Sequence, residues 1–419
     1  MKVFFSFLII LSGSINVFAQ FEIDRNDQYL LSQKNSAQGK NDSISSLISL
    51  HGGYFLNSNS INNNFVRFFR SNFITDENKT ENEKRLKSVN RLGFEMNAGL
   101  TWMKKGKQIT YVVGLNERRL ASAKFSKDFF ELVFRGNSDY VGKNAQLSPL
   151  NITYFNYESL YLGVQKDLKE KKLMLGGGIS LIRAGTFAQA KIKTGTMYTD
   201  TAYTYLDFNM DYQLSYPDNA GSLFGSTNGM GLAGSFYLSW LKEKGQLNFE
   251  IRDLGFISYR NMNVYSGNST YRYNGYNVNN VLQFNDSIFS NIKADTIAQG
   301  MGLHKEKKNF GYVIPATFHV NYVYNYSDRL TLVGGIKQMI NVAYIPRLYL
   351  KSVYYVKKDL AIIPMIAYGG FGRGDFELGV SKSFKDKLMV SVNLFYLEYF
   401  ILPKKSSGNG FNFSLTKLF

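Results

Sequence analysis

The chain has 419 residues and no cysteine; 16% of it is aromatic (29 Tyr, 34 Phe, 2 Trp), prolines number only 6, and the formal charge is +17. The missing thiols exclude disulfides, thiolate metal sites and thiol nucleophiles, and no segment beyond the N-terminus reaches 18 consecutive apolar residues, which excludes a bundle of membrane helices. The positive charge comes without a basic helix or an aromatic stacking motif, so it points away from nucleic acid and toward solvated turns and loops, or toward anionic lipid head groups.

Lys2 is followed by the apolar run Val3 to Leu11 and a polar stretch ending Val17-Phe18-Ala19. This pattern predicts an export signal over residues 1–19, cleaved after Ala19; the run is too short for a spanning helix, which needs roughly 20 residues. Residues 20–43 carry no clear period and read as a plug inside a lumen or as a periplasmic tail. From residue 44 to residue 419 the pattern is that of one β domain. A first strand runs Ile44 to Leu56, with Ile48, Leu50, Tyr54 and Leu56 on one face. The polar stretch Asn57 to Val89 follows. Leu92, Phe94, Met96, Ala98, Leu100 and Trp102 then alternate with Gly93, Glu95, Asn97, Gly99 and Thr101, the period-two pattern of a strand with one apolar and one polar face.

The rest of the chain repeats one plan, two amphipathic segments joined by a short charged turn, then a longer irregular stretch. The short turns are Lys104 to Lys107, Asp167 to Lys171, Lys242 to Gly245, Ser327 to Arg329, Lys357 to Asp359 and Lys385 to Lys387. Six such hairpins, the strand from Ile44 and a closing C-terminal strand predict an all-β fold, a closed antiparallel transmembrane β-barrel of about 14 strands with long outer loops, the even number that single-chain barrels require. Apolar faces would meet lipid, and polar faces a wet lumen. Three outer regions are long. Ala121 to Pro149 should contain a helix over Lys127 to Phe134, capped by Ser126 and stopped by Gly136. Lys191 to Gly229 contains a further alternating run, Leu206 to Tyr216, which parity assigns to a hairpin above the membrane. Asn261 to Asn309, rich in Asn and Tyr, is expected to cover the mouth. Ile314, Phe318, Val320, Tyr322 and Tyr324 form the apolar face of the strand whose other face holds Thr317, His319 and Asn321.

In the last strand Phe411, Phe413, Leu415 and Phe419 fall on one face and Asn412, Ser414 and Thr416 on the other. It resembles the terminal β-signal that the barrel assembly machinery reads in bacterial outer-membrane barrels. The segments Phe125-Ser126-Lys127-Asp128-Phe129-Phe130, Arg135-Gly136-Asn137, Tyr157 to Gly163, Arg252 to Ile257 and Phe284 to Phe289 are similar to a Bacteroidetes family of outer-membrane barrels of unknown function. More remotely the layout resembles FadL-like transporters and barrels attached to type IX secretion. That resemblance implies a 14-stranded barrel, an N-terminal plug and, as in FadL, a kinked strand that opens a lateral gate. Asp253-Leu254-Gly255 breaks the alternation of Leu247, Phe249 and Ile251, which is where a bulge or inward kink would sit.

Little chemistry is expected. Of three histidines, His51, His304 and His319, His319 would face the lumen beside Asn321, as a polar lining residue; neither catalytic residues nor a cofactor nor a metal site are expected. Gly176-Gly177-Gly178 lacks the following helix of a phosphate loop and reads as small residues where a strand meets a plug. Asp-(Ser/Thr)-apolar tripeptides place candidate O-glycosylation at Ser43, Thr201, Ser287 and Thr296, resembling the sequon of Bacteroidetes envelope proteins. Outer-membrane lipids and the barrel assembly machinery are the expected partners. Two functions compete: a passive FadL-like conduit for small hydrophobic molecules, and a non-conducting accessory barrel holding a partner in an envelope complex for secretion or barrel assembly.

Overall fold

A strand whose side chains alternate apolar and polar must find one oily and one wet or self-bonded face, and a closed ring of such strands satisfies every backbone donor without an edge. The computed structural model describes residues 45–70, 74–217, 227–274, 304–385, 387–402 and 405–419. The expected export signal and residues 20–43 lie outside the described residues, as do the candidate sites Ser43, Ser287 and Thr296. In chain order the elements are β1 (Ser46–Ser58), α1 (Asn63–Arg70), α2 (Asp76–Glu83), β2 (Val89–Lys105), β3 (Ile109–Ser126), α3 (Lys127–Phe134), β4 (Asn144–Gln146), β5 (Leu150–Leu168), β6 (Leu173–Thr199), β7 (Leu206–Pro217), β8 (Gly229–Lys242), β9 (Gly245–Tyr273), β10 (His304–Val313), β11 (Thr317–Ser327), β12 (Leu330–Met339), β13 (Ile345–Lys357), β14 (Leu360–Gly370), β15 (Gly374–Phe384), β16 (Leu388–Phe395), α4 (Glu398–Ile401) and β17 (Gly408–Leu418).

Fourteen of these strands close an antiparallel barrel, with β1 paired to β2 (Leu50 opposite Leu100) on one side and to β17 (Leu50 opposite Leu415) on the other. The three remaining strands stand outside the ring count: β4 and β7 pair with the outer ends of β6, and β7 and β10 with the outer half of β9. All six short charged turns join consecutive barrel strands at one end, as expected. The run Leu206 to Tyr216 is β7, the return strand of a hairpin with β6 beyond the barrel, also as expected.

Outward-facing Leu50, Leu100, Leu115, Ile179, Leu232, Leu348 and Leu415 are exposed, while inward-facing Ser49, Glu95, Asn248, Asn321, Asn412, Ser414 and Thr416 are buried. On β8 the exposed apolar residues run from Met230 to Trp240; ten steps of about 3.3 Å at a tilt of about 40° give a belt about 25 Å tall, the height of a hydrocarbon core spanned by barrels. Crossing takes roughly 9–11 residues. Strands β14 and β15, of 11 residues each, are just long enough and β16, of 8, falls slightly short, whereas β6 and β9, with 27 and 29, rise well above the membrane. The barrel is therefore lopsided, with a tall hood of β6, β7, β9 and β10 on one side.

Several expectations need correction. The polar stretch Asn57 to Val89, for which no element was expected, holds α1 and α2, because Asn62 and Thr75 accept the Phe65 and Asn78 amides as N-caps and Phe65 packs against Phe130 and Phe134 of α3, with ring centroids 5.3 and 5.0 Å apart. The outer regions are shorter than their sequences suggest, since β3, β6 and β9 extend to Ser126, Thr199 and Tyr273 and β10 begins at His304. Ile314 does not face lipid; it is fully buried among lumen aromatics. The plug that Gly176 to Gly178 were expected to meet lies outside the described residues; a Cβ at Gly178 would run into the Leu162 carbonyl oxygen and lie 2.6 Å from Gly163 Cα and 2.7 Å from Tyr161 Cζ, so the neighbouring strand and a ring lying across it leave no room for a side chain. The helix α3 matches its expectation, with Ser126 capping the Phe129 amide at 3.1 Å and Gly136 at φ +89.

Candidate functional site

The lumen is divided by polarity. Toward the short turns it is a ladder of small polar side chains bonded to one another: Ser49 to Thr416 (2.9 Å), Ser391 to Ser381 (2.8 Å), Asn248 to Asn321 (2.8 Å) and Gln246 to Asn248 (2.6 Å). Toward the outer mouth it is aromatic. Phe187 lies 4.7 Å from Tyr312 and 4.9 Å from Tyr259, and Phe155 lies 5.4 Å from Tyr312, ring centre to ring centre; Ile257, Met262, Ile314, Met339, Tyr344 and Phe371 are among the other members of this cluster.

Where the two zones meet, the strand ladder is interrupted. Along β9, Leu247, Phe249 and Ile251 alternate with the buried Asn248, Glu250 and Arg252. Asp253 then turns to φ +57, a left-handed conformation that Asp tolerates better than bulkier residues. The register with β8 jumps from Phe236 opposite Ile251 to Gly234 opposite Leu254, so Ser235 alone faces Arg252 and Asp253. This is a β-bulge, and it turns Leu254 and Phe256 outward, 53% and 55% exposed. On the other side of β9, pairing with β11 ends at Thr317 opposite Arg252 and pairing with β10 resumes at Val313 opposite Phe256. Between them Ile314 to Ala316 are not strand, and Ile314 N–H donates to Gly255 O at 3.1 Å. Strand β12 ends at the same level, Met339 opposite Thr317. Among the described residues no strand pairs with the second edge of β10; Asn341 Nδ2 donates to Val313 O there at 2.7 Å, and Val342 and Tyr344 turn into the aromatic cluster.

A buried ionic bridge reaches this break from across the lumen. Arg118, inward on β3, places Nη2 2.9 Å from Glu95 Oε1 and Nη1 3.0 Å from Asp253 Oδ2 and 3.3 Å from Pro315 O. Tyr157 OH donates to the same Asp253 oxygen at 3.2 Å. One guanidinium thus ties β2, β3, the bulge of β9 and the non-strand link between β10 and β11. Such a group is stable only while its partners are in place, since breaking a buried pair costs about 3–5 kcal/mol. A second cluster joins Arg347 of β13 to Asp375 (2.9 Å) and Glu377 of β15. The sequence places Glu95 in the lumen and Tyr157 in a family-like segment but does not single out Arg118, Arg347, Asp375 or Glu377; the available sign is charge on the polar face of an alternating strand, as at Arg118 two residues from Asn116.

The other expected site residues are not gathered here. Phe411, Phe413, Leu415 and Phe419 lie on the outer face of β17, and the backbone of Phe419 pairs with β1, its N–H to Ser46 O (2.9 Å) and its carbonyl accepting from Ser45 N–H (2.8 Å). Thr201 is exposed on a turn whose Asp200 carboxylate accepts from Thr204 Oγ1 (2.6 Å) and the Ala202 amide (3.3 Å); Thr204's bonds hold that carboxyl below the ordinary range. His319 Nε2 lies 2.8 Å from Tyr349 OH. Among the described residues no three His, Asp or Glu side chains are grouped to hold a metal ion.

A closed barrel with an apolar belt and a polar-to-aromatic lumen is a transmembrane β-barrel of the outer-membrane type. The chain belongs to a family of unknown function, DUF5723, whose model matches residues 43–355. No curated protein matches it. Among solved structures it is similar to the P. putida toluene transporter TodX (9% identity, TM-score 0.44, 91% of each chain covered), the Ralstonia pickettii toluene transporter TbuX (7%, 0.46, 90% of each) and a Pseudomonas aeruginosa FadL homologue (10%, 0.43, 90% of each).

Proposed function

We propose that the barrel is a passive conduit for small hydrophobic molecules, which enter from the outer mouth and leave through the wall at Asp253 to Gly255 and Ile314 to Ala316. The carrying observation is that β9, the β10–β11 strand and β12 are interrupted at one level, and that this level is backed by the aromatic cluster. An apolar solute gains about 25 cal/mol for each Å² it takes out of water. It keeps that gain among Phe155, Phe187, Tyr259 and Tyr312, and would lose it in the hydrogen-bonded Ser and Asn ladder below. The hydrocarbon outside Leu254 and Phe256 is therefore the downhill exit. Deleting Asp253 to Gly255 should abolish uptake of a fluorescent hydrophobic probe by reconstituted vesicles while the protein still shows heat-modifiable migration on a gel. Uptake unchanged in a folded deletion variant overturns the proposal.

A second reading has its own observation. Among the described residues Phe155, Phe187, Ile257 and Tyr259 are completely buried, so these side chains are packed against protein rather than lining open space, and the hood of β6, β7, β9 and β10 offers a surface outside the membrane. Both suit a non-conducting accessory barrel that holds an envelope protein. Affinity purification from native membranes separates the two: a stoichiometric protein partner supports the accessory barrel, and copurified lipid-like molecules support the conduit.

A further inference from the structure

The short-turn rim is richer in basic over acidic residues than the chain as a whole. Residues 104–107, 167–171, 242–245, 327–329, 357–359 and 385–387 hold twelve Lys and Arg against six Asp and Glu, with Lys166 and Lys172 flanking the second turn, whereas the whole chain has 49 against 32. Lys104, Lys105, Lys107, Lys171, Lys172, Lys242, Lys244, Arg329, Lys357, Lys358, Lys385 and Lys387 are exposed there. Just inside the rim lies a girdle of exposed aromatics, Trp102, Tyr111, Trp240, Tyr322, Tyr324, Tyr326, Tyr354, Phe384 and Phe419. Lysines sit over two of these rings, Lys242 Nζ 3.2 Å from the Trp240 ring centre and Lys417 4.9 Å from Phe419, while Lys382, 5.9 Å from Phe384, is bonded to Asp359 at 2.8 Å.

We infer that this rim is a collar for anionic phospholipid head groups in the leaflet on the short-turn side. Three features select that occupant. Aromatic girdles mark the boundary between hydrocarbon and head groups, so ammonium groups resting on those rings stand at head-group depth with their stems along apolar surface. The collar is continuous with the lipid-facing belt through Trp240, Phe384 and Phe419, which belong to both. Its basic residues recur in every one of six hairpin turns spaced around the ring, the symmetry of an annular leaflet; an acidic protein docked at the rim would need charge on one arc only. The head-group phosphate is the shared chemistry of membrane lipid and free phosphate ion, and the collar commits to the lipid because exposed lysines spread over a ring make no pocket for a single ion. The inference rests on the belt and the turns, and is independent of the conduit.

The test uses the whole protein reconstituted in phosphatidylcholine vesicles containing one quarter phosphatidylglycerol, with spin-labelled versions of each lipid reporting occupancy of the protein boundary. The expected result is a several-fold preference for phosphatidylglycerol that falls toward unity in high salt, since the attraction is screened. A variant with Lys104, Lys105, Lys107, Lys357, Lys358, Lys385 and Lys387 all changed to Gln should lose most of the preference with heat-modifiable migration intact. The smaller Lys104→Gln/Lys105→Gln/Lys107→Gln variant should lose part of it, while Lys191→Gln/Lys193→Gln on the hood should keep it. Soluble glycerol phosphate should not compete. No preference in the wild-type protein, a preference insensitive to salt, the same preference in the seven-site variant, or displacement by glycerol phosphate would each overturn the collar.

Discussion

Replacing Arg118 by Met keeps most of the side-chain volume and removes the charge that joins Glu95, Asp253 and Pro315 O. The side chains of Arg118 and Glu95 are 7% and 3% exposed and that of Asp253 25%, so the variant leaves two largely buried carboxylates facing one another without a counter-ion. Losing one partner of a buried pair costs about 3–5 kcal/mol, and every 1.4 kcal/mol is about tenfold in an opening equilibrium. Local opening of the break should therefore rise by about 100-fold or more. Hydrogen exchange read by mass spectrometry is the assay. The Ile314 amide, bonded to Gly255 O, and the peptide from Glu250 to Ile257 should lose protection by that factor, while β14 and β15 keep theirs. In Arg118→Met/Glu95→Gln/Asp253→Asn the stranded charges are gone, so protection should largely return. Exchange at Ile314 equal to wild type, or an equal acceleration in β14 and β15, would refute the bridge as a local staple.

Deleting Phe419 removes the backbone pairing to Ser45 and Ser46 and should leave the protein exported but poorly assembled; normal membrane levels count against the β-signal reading. With no native cysteine, single-cysteine labelling of intact cells is clean: Tyr203→Cys, 65% exposed as Tyr, should react and Lys358→Cys should not, and the reverse inverts the topology. The Asp76 carboxyl is held below its ordinary value of about 3.9 by its hydrogen bond and charge contact with Lys79, helped by Arg135. A lowered folded value gives stability that is present above the unfolded value and lost as pH falls through the folded one, so Asp76's modest contribution to α2, made through an exposed pair, should fade only below about pH 4, and Asp76→Asn should remove the acid-linked part of α2's protease resistance; a loss of that part near neutrality would contradict this. For Thr201, intact-mass spectrometry of native protein should show added glycan, and an unmodified mass retires that site.

Period-two alternation made the strands legible because a barrel wall imposes one oily and one polar face on every strand, and charged turns of three to five residues fix which segments are neighbours. The break at Asp253 to Gly255 was visible for the same reason, as three residues that violate the alternation. What the local pattern hid was contact at long range. Arg118 and Asp253 are 135 residues apart, and nothing near either one names the other. The strand extensions of β6 and β9 were hidden too, because above the membrane both faces meet water or protein and the alternation that marks a lipid wall fades. The helices α1 and α2 escaped notice because Asn62 and Asn82 bond to each other (3.3 Å) and Asn64 to Asn78 (2.7 Å), so polar side chains supply part of the packing that an apolar stripe would otherwise announce.

The proposed route through the wall can be closed and reopened in one sample. Phe256 and Val313 are paired across β9 and β10, both face outward at 55% and 51% exposure, and they border the break. A Phe256→Cys/Val313→Cys protein in vesicles should take up a fluorescent hydrophobic probe when reduced, lose uptake when the disulfide forms, and regain it on reduction. Equal uptake in the oxidised and reduced states, with the disulfide verified by mass, would contradict passage through this break.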